Sequence, residues 1–415
     1  MERKILVKSL KFSEDFPEPR FELRFLYWGA FFLPMIQLRL GIFTVSDTLF
    51  LASFLAALKN ANRSRISRSM SIKWILLNIF IGLILALQTL YFSEDVIASL
   101  LGVCKLVFAI TVVFFIVAHQ ISNFRIESQL VLYFSAGCAI SAISAQLNLG
   151  SLAVSAGGVM RSGGLAGHPV GLAISSGSAI ALLVQVLSFS EKGFATLFIS
   201  VLILFNFVGL YVSVGITGLA IMSSGILVGL IFPSGEISRR ISLIAFGGIL
   251  FTLLSFSEFG IVISERIRGA FSPSQGLSTS SGQLNGSTVD IRIFTWNYGF
   301  RRILQHPLLG NGFDESGQYA YGKVATHNYF LLMWQAGGLL AFFISLAFAF
   351  VCVWSLITLW RSRFRFPKSQ IGAVSIITTL VGAFTSPALY GRQLYFTIAI
   401  GVGFALKSRK VKAPL

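Results

Sequence analysis

Long apolar runs fill most of this 415-residue chain, and a polar interruption at residues 258–326 divides them into two groups. A helix that crosses a bilayer needs about 20 mostly apolar residues, because hydrocarbon offers no water to the backbone. Counting such runs predicts about twelve spans. They lie at 25–40, 42–58, 74–92, 97–118, 129–147, 168–189, 194–211, 215–233, 241–257, 338–359, 370–388 and 393–406. The first two are short, and we expect them to form a tight hairpin. The chain is therefore predicted to be an all-α polytopic membrane protein.

The composition excludes an ordinary soluble domain. Hydrophobic residues make up 55% of the chain and charged residues only 12%, whereas soluble domains carry roughly 25% charged residues. Cys104, Cys138 and Cys352 all fall within apolar runs. Their positions match no metal-ligand spacing and predict no disulfide framework.

The distribution of basic residues predicts the orientation. If the segment 1–24 is an uncleaved cytoplasmic tail, most of the 33 basic residues fall on the cytoplasmic side, as the positive-inside rule requires. These are Arg3, Lys4, Lys8, Lys11, Arg20 and Arg24, the basic residues from Lys59 to Lys73, Arg125, Lys192, Arg239, Arg240, Arg361, Arg363, Arg365, Lys368, Lys407, Arg409, Lys410 and Lys412. The net charge of +17 is thus expected to face anionic lipid rather than nucleic acid. Both termini are then cytoplasmic, and 258–326 is a large external loop.

Some basic residues remain on the external side, where this rule disfavours them. They are Arg39, Arg161, Arg266, Arg268, Arg292, Arg301, Arg302, Lys323 and Arg392. Their placement indicates a function other than topology. Lys105 and Asp47 fall inside predicted spans and are left unassigned.

The large loop has three predicted parts. Residues 258–270 contain both polar and apolar side chains and can prolong the ninth span. Residues 272–288 are rich in Ser and Gly, so we expect them to be mobile and regard them as a candidate gate. Residues 288–305 have the periodicity of an amphipathic helix, which places Arg292 and Trp296 on one face. His306-Pro307 is expected to end that helix.

A second external segment, 157–169, is dense in glycine and contains Arg161 and His168. Glycine allows close approach of the backbone to a ligand and irregular structure at membrane depth. We therefore expect this segment to contribute to the same site as the large loop.

Three groups of residues in these segments, taken with the predicted spans and external loop, resemble the O-antigen ligase and polymerase superfamily. They are Arg292-x-x-x-Trp296 followed by His306-Pro307-Leu308-Leu309-Gly310-Asn311-Gly312-Phe313, then Thr326-His327-Asn328 with Gly337-Gly338 downstream, and Arg161-x-x-Gly-Leu-x-Gly-His168-Pro169. The likeness covers roughly residues 155–345 in order and spacing. One departure concerns the eighth span, where the family often has a Ser-Arg pair; here Ser213 has no arginine beside it.

The resemblance implies a GT-C-like fold in the bacterial inner membrane, with three regions. Residues 1–257 would hold the cytoplasmic tail and helices 1–9, 258–326 the periplasmic loop with the active site, and 327–415 helices 10–12 and a basic cytoplasmic tail. It also implies a metal-independent glycosyltransferase of the inverting type that takes its glycan from undecaprenyl diphosphate.

The resemblance and the residues together give the expected site. His327 is the candidate general base and Arg292 the first candidate for stabilising the diphosphate. Arg161, Arg266 and Arg268 are further diphosphate candidates, because arginine binds phosphate oxygens in pairs. His168 and Asn328 are auxiliary candidates. No metal and no cofactor are expected, since the chain lacks an Asp-x-Asp motif.

Several alternatives stay open at this point. His327 could simply cap the tenth span, and Arg301 and Arg302 are better explained as solvated or lipid-bound. The favoured activity is O-antigen or exopolysaccharide polymerisation; a ligase would instead transfer the glycan to lipid A–core. A transporter of lipid-linked oligosaccharides is a third alternative. Expected partners are the lipid-linked donor, a glycan or lipid A–core acceptor, membrane lipids and a chain-length regulator protein.

Overall fold

A computed structural model describes most of the chain. The described residues are 20–40, 43–60, 68–93, 95–149, 154–156, 159–190, 193–232, 260–261, 264–265, 267–268, 278–280, 283–285, 288–313, 319–320, 324–385 and 392–410. The predicted span at 241–257 and Arg266 lie outside them.

The main elements are helices, joined in places by two-stranded antiparallel hairpins. The helices are α1 Phe21–Phe32, α2 Val45–Lys59, α3 Arg68–Phe92, α4 Val96–Phe108, α5 Phe115–Asn123, α6 Glu127–Gln146, α7 Pro169–Phe189, α8 Phe194–Ser213, α9 Ile216–Ile231, α10 Thr288–Gln305, α11 Tyr329–Ser362, α12 Ser369–Thr385 and α13 Arg392–Lys410; a π-helical turn, Ala109–Phe114, joins α4 to α5. The strands are β1 Arg39–Leu40, β2 Phe43–Thr44, β3 Val154–Ala156, β4 Val159–Arg161, β5 Ser278–Ser280, β6 Gln283–Asn285, β7 Tyr319–Ala320 and β8 Val324–Ala325, which pair in that order.

The helices are those of an all-α membrane protein. Within the described residues, six helices or continuous helical stretches are long and apolar enough to cross a membrane, and α9 and α12 are shorter apolar helices. The apolar residues Leu76, Leu83 and Leu87 of α3 are exposed, as expected for side chains that face lipid. Buried glycines let helices approach closely: a Cβ at Gly177 of α7 would come within 2.3 Å of the Gly218 carbonyl oxygen of α9.

The first two helices form the expected hairpin, although their bounds differ from the predicted spans. Helices α1 and α2 pack together and are joined by the β1–β2 turn. Helix α2 begins at a capping box, in which Thr44 and Asp47 bond to each other's backbone N–H. The second carboxylate oxygen of Asp47 lies 2.5 Å from Nε of Arg392 at the start of α13. Asp47 and Arg392 therefore have a structural role in joining α2 to α13.

The bundle has two ends that differ in their charged contacts. We call the end where α8 stops and α9 starts the site end. At the opposite end, the buried carboxylate of Glu127 on α6 lies 3.0 Å from Lys407 and 3.5 Å from Lys368. Lys407 also donates to the carbonyl of Phe124. These contacts fasten α13 and the start of α12 to the α5–α6 turn.

One expectation about the loop region, the start of the tenth span, needs correction. The tenth span was predicted to begin at residue 338, but α11 begins at Tyr329 and breaks at Gly337 and Gly338, whose backbone is non-helical. Part of the Ser/Gly-rich segment 272–288 forms a hairpin, with Ser278 paired to Asn285. The predicted amphipathic helix at 288–305 corresponds to α10.

Candidate functional site

The turn between α8 and α9 forms the floor of the candidate site. Helix α8 ends at Ser213, Val214 adopts a left-handed backbone with φ of 43°, and α9 starts at Ile216 after Gly215. This reversal leaves the last carbonyl groups of α8 without helical N–H partners. It thereby offers acceptors to side chains from other segments.

Arg161 reaches this turn from the glycine-rich segment. Its Nε donates to the carbonyl oxygen of Ser213 over 2.7 Å, and the next residue, Ser162, donates its backbone N–H to Val212. The Arg161 side chain is buried, with 9% of its surface exposed. Arg161 therefore brings a buried guanidinium, anchored through Nε, to this turn, and a guanidinium can hold an anion through paired N–H groups.

Arg292 reaches the same turn from α10. Its Nη2 donates to the side-chain oxygen of Thr217, in the first turn of α9, over 3.4 Å. Among the described residues, its Nε is buried without a hydrogen-bond partner. Partial burial lowers the pKa of Arg292 from its ordinary value, yet an arginine remains protonated at neutral pH. Two of the four arginines that sequence reasoning chose for one ligand, Arg161 and Arg292, therefore converge on one turn of the bundle.

The segment that carries His327 is attached to the same helix, α10. Trp296, one helical turn after Arg292, donates its indole N–H to the carbonyl oxygen of His327 over 3.3 Å. The hydroxyl of Thr326 contacts the carbonyl oxygen of Thr295 at 3.3 Å and the side-chain oxygen of Gln335 at 3.0 Å. These bonds hold His327, which is partly buried, on the Arg292 side of α10.

Asn328 caps α11. Its side-chain oxygen accepts the backbone N–H groups of Phe330 and Leu331, at 3.0 and 3.1 Å. Asparagine is among the best residues at this position. Asn328, rather than His327, therefore caps α11. Capping gives Asn328, which the sequence suggested as an auxiliary site residue, a structural role.

His168 caps α7 and lies beside Arg161. Its Nδ1 accepts the backbone N–H of Val170 over 3.2 Å. Although part of its side chain is exposed, desolvation of the ring by its neighbours, and then the positive charge of Arg161, lower the pKa of His168 from 6.5. The imidazole is therefore neutral at pH 7, and because Nδ1 is an acceptor, Nε2 carries the proton and can donate it in a hydrogen bond.

A clasp of hydrogen bonds, unforeseen from sequence, joins the segment after α10 to the break in α11. The non-helical glycines Gly337 and Gly338 release two carbonyl groups. That of Gln335 accepts from the backbone of Asn311 at 2.8 Å, and that of Ala336 accepts from Gly312 at 2.9 Å. In return, Leu339 donates to Leu308 at 3.0 Å. The clasp thus fixes α10, with Arg292, relative to the start of α11, with His327.

The remaining candidate residues are exposed or make contacts elsewhere. Arg268 is exposed in a short helical piece. Arg301 is exposed, and Arg302 contacts Gln305 on its own helix, which agrees with a solvated or lipid-bound role. The ring of His306 packs on Phe92.

The described residues contain no group of three His, Cys, Asp or Glu side chains able to hold a metal. No protein-family model matches the chain, and no curated protein matches it.

Proposed function

We propose that this protein is a membrane glycosyltransferase that moves a glycan from undecaprenyl diphosphate to an acceptor sugar. The observation that carries the proposal is the convergence of Arg161 and Arg292 on the α8–α9 turn, through Ser213 and Thr217. A pair of partly buried cations in a membrane protein is costly unless an anion compensates it. A lipid diphosphate supplies two adjacent anionic groups at membrane depth.

Leaving-group stabilisation is the first requirement of this reaction. Undecaprenyl diphosphate departs with negative charge on its terminal phosphate, and preorganised cations lower the barrier to that step. The Nε of Arg292 has no hydrogen-bond partner among the described residues, and Arg161 is anchored to Ser213 through its Nε. Their terminal nitrogens are suited to separate phosphate oxygens. His168 adds a neutral N–H donor beside Arg161.

Proton removal is the second requirement, and His327 is the proposed base. A histidine can accept a proton near neutral pH. Trp296 and Thr326 hold the His327 segment against α10. With Asn328 serving as the cap of α11, the His327 side chain is free of that structural duty.

The proposed step conserves atoms and charge. The acceptor hydroxyl oxygen forms a bond to the anomeric carbon, while the bond between that carbon and the diphosphate oxygen breaks. The hydroxyl proton passes to His327, and the bonding electron pair leaves with undecaprenyl diphosphate beside Arg161 and Arg292. Attack opposite to the leaving group inverts the anomeric centre.

The missing Ser-Arg pair is compatible with this proposal. Arg161 donates to the carbonyl oxygen of Ser213, so a guanidinium approaches the position from another segment. We propose that Arg161 takes the role that a neighbouring arginine has in the resembled family.

The orientation and architecture belong to the same proposal. We place the site end at the periplasmic face of the bacterial inner membrane, with about twelve spans of GT-C-like arrangement. Glu127, Lys368 and Lys407 then lie at the cytoplasmic end, where basic residues are favoured. The proposed loop 258–326 contributes Arg292 and reaches His327.

The activity is proposed to be a polymerase of O-antigen or exopolysaccharide repeats. A ligase would use lipid A–core as acceptor, so a purified protein that labels lipid A–core and fails to lengthen lipid-linked repeats would establish the ligase instead. Transport is less favoured, because Arg161, Arg292 and His327 gather at one end of the bundle, whereas transport sites lie near the bilayer midplane.

Purified protein in vesicles with a lipid-linked repeat unit tests the proposal. Arg292→Ala is expected to weaken donor binding and lower the transfer rate by about 100-fold, the scale for loss of one charge-stabilising donor. Arg301→Ala, an exposed arginine of the same helix, is the matched control and should retain wild-type transfer. His327→Ala should lose transfer at normal donor affinity, and His306→Ala should not. Equal transfer by Arg292→Ala and Arg301→Ala would contradict the proposal.

A further inference from the structure

Helix α10 has three different faces. Thr295, Gly299 and Ile303 are buried against the rest of the protein. Asn297, Arg301 and Gln305 are exposed and polar. The third face is apolar and exposed, with Ile293 at 51%, Phe300 at 48%, Leu304 at 65% and Trp296 at 38% of their surface. At helical spacing these four form a continuous strip, which we call the apolar strip.

Contacts at both ends of α10 show that the helix lies across the site end of the bundle. Near its start, Arg292 bonds to Thr217 in the first turn of α9. Just after its end, His306 packs on Phe92, the last residue of α3, with ring centroids 5.2 Å apart. These anchors are 14 positions apart along the chain, or about 21 Å in a helix. Because both anchors are ends of apolar helices, α10 runs roughly parallel to the membrane plane.

The end of α10 continues into a lipid-facing surface. Helix α3 exposes Leu83, Leu87 and Leu90 along its length up to the contact with His306. At Gly312, just beyond α10, an added Cβ would lie 2.7 Å from Cβ of Ser93. The segment that follows α10 therefore packs on the end of α3, at the level where the exposed apolar surface of α3 ends.

We propose that α10 is an interfacial helix whose apolar strip inserts into the lipid leaflet at the site end. Its occupant is the acyl-chain region of the bilayer itself. A helix with one apolar and one polar face, lying in the membrane plane, has the form of a helix that binds the interface. Arg301, on the polar face, is placed to meet lipid phosphates or water, and Trp296 has the amphipathic ring favoured at this depth.

Insertion sets the depth of the neighbouring site. By helical spacing Arg292 falls on the buried face of α10, next to the apolar strip and one turn before Trp296. When the strip enters the leaflet, Arg292 is held at the level of the headgroups. The inference needs only a membrane-embedded bundle, so it does not depend on the proposed glycosyl transfer.

Accessibility of nitroxide labels tests the inference on the full-length protein in nanodiscs. Labels at Phe300→Cys and Leu304→Cys report the apolar strip, and labels at Asn297→Cys and Gln305→Cys report the polar face. Cys104 is the exposed native thiol, while Cys138 and Cys352 are buried, so a Cys104→Ser background is suitable and serves as the unlabelled blank.

Each outcome is decisive. Insertion predicts severalfold higher collision with oxygen than with a water-soluble nickel chelate at 300 and 304, and the reverse at 297 and 305. High nickel collision at 300 and 304 would overturn the inference, because the strip would then face water. Low collision with both reagents there would also overturn it, because protein would cover the strip. Loss of transfer activity changes none of these readings.

Discussion

Trp296 donates its indole N–H to the main-chain carbonyl oxygen of His327 over 3.3 Å, which links the external helix α10 to the segment that starts α11. The neighbouring pair Thr295 and Thr326 makes a second link of 3.3 Å. The proposed base and the proposed phosphate-binding Arg292 are thus connected through one turn of helix. Their relative position depends on bonds that a substitution can remove singly.

Trp296→Phe is expected to slow transfer while leaving the protein folded. The ring remains, but the bond to His327 is lost, and one such bond contributes about 1 kcal/mol, or about fivefold in rate if it holds the reacting geometry. Trp360→Phe removes an indole at the opposite end of the bundle, where Trp360 packs on Phe232, and should retain the wild-type rate. Rates with a lipid-linked donor, compared at equal thermal stability, measure the effect. A fivefold loss in both variants would contradict this role of Trp296.

The break in α11 makes Gly338 hard to replace. Its φ of +61° is unfavourable for other residues, and an added Cβ would lie 2.2 Å from the carbonyl oxygen of Leu308. Gly338→Ala should therefore open the clasp, lower stability by about 1–3 kcal/mol and reduce transfer. Gly382→Ala on α12 is the matched control, because its nearest atom would be 3.7 Å away. Thermal unfolding in detergent measures both, and equal midpoints would disprove the strain at Gly338.

Six of the predicted spans correspond to described helices that are long and apolar enough to cross a membrane, because hydrocarbon forces helical backbone bonding wherever a long apolar run occurs. The sequence predicted that Arg161 and Arg292 bind the same ligand, but it did not predict that both attach to the α8–α9 turn. Their common attachment to Ser213 and Thr217 depends on contacts across 52 and 75 residues of sequence. Contacts between residues this far apart in sequence depend on tertiary packing, which a local sequence pattern does not reveal.

Other parts of the site were missed because their signals are weak. Hydropathy placed the start of the tenth span at residue 338, because Asn328 and Gln335 interrupt the apolar run. In the structure Asn328 caps α11, and the carbonyl oxygen of Gln335 accepts a hydrogen bond at the break in that helix. Arg392 was counted among the external arginines that need a function. Its partner, Asp47, lies in a span far earlier in the chain, and no local feature predicts that pairing.

Asn328 is expected to act through helix capping. Asn328→Ala should cost about 0.5–2 kcal/mol of stability, the range for loss of a cap. Asn328→Ser keeps an oxygen that can accept the backbone N–H groups, and should preserve both stability and transfer. Thermal unfolding and transfer assays on the two variants distinguish the roles. If Asn328→Ser folds normally but is inactive, the amide contacts substrate, and capping alone is insufficient as an explanation.

The ion pair between Asp47 and Arg392 predicts an asymmetric response to substitution. Arg392→Leu would leave the carboxylate of Asp47, with only 1% exposure, without its cation, which typically costs about 3–5 kcal/mol. Adding Asp47→Asn removes the uncompensated charge and should restore part of that loss. Thermal unfolding of the two single variants and the double variant measures the coupling, and additive losses would show that the pair does not interact.

His168 predicts a dependence of stability on pH. Burial, and then the charge of Arg161, lower its pKa below 6.5 in the folded protein. The unfolded chain therefore binds a proton more readily between pH 6.5 and the lowered pKa. The contribution of His168 to stability is complete above pH 6.5, and it declines as the pH falls through that window. His168→Gln should weaken the pH dependence of unfolding there.

Arg161→Gln separates the two causes of that shift. Removing the positive charge should raise the pKa of His168 towards 6.5, while burial, the larger cause, still keeps it lower. Titration of histidine ring resonances by NMR measures the change, with the signal assigned by its loss in His168→Gln among the four histidines of the chain. Arg301→Gln, on the exposed face of α10, should leave that pKa unchanged. An unaltered His168 pKa in Arg161→Gln would show that the two side chains do not interact, and would remove His168 from the proposed diphosphate site.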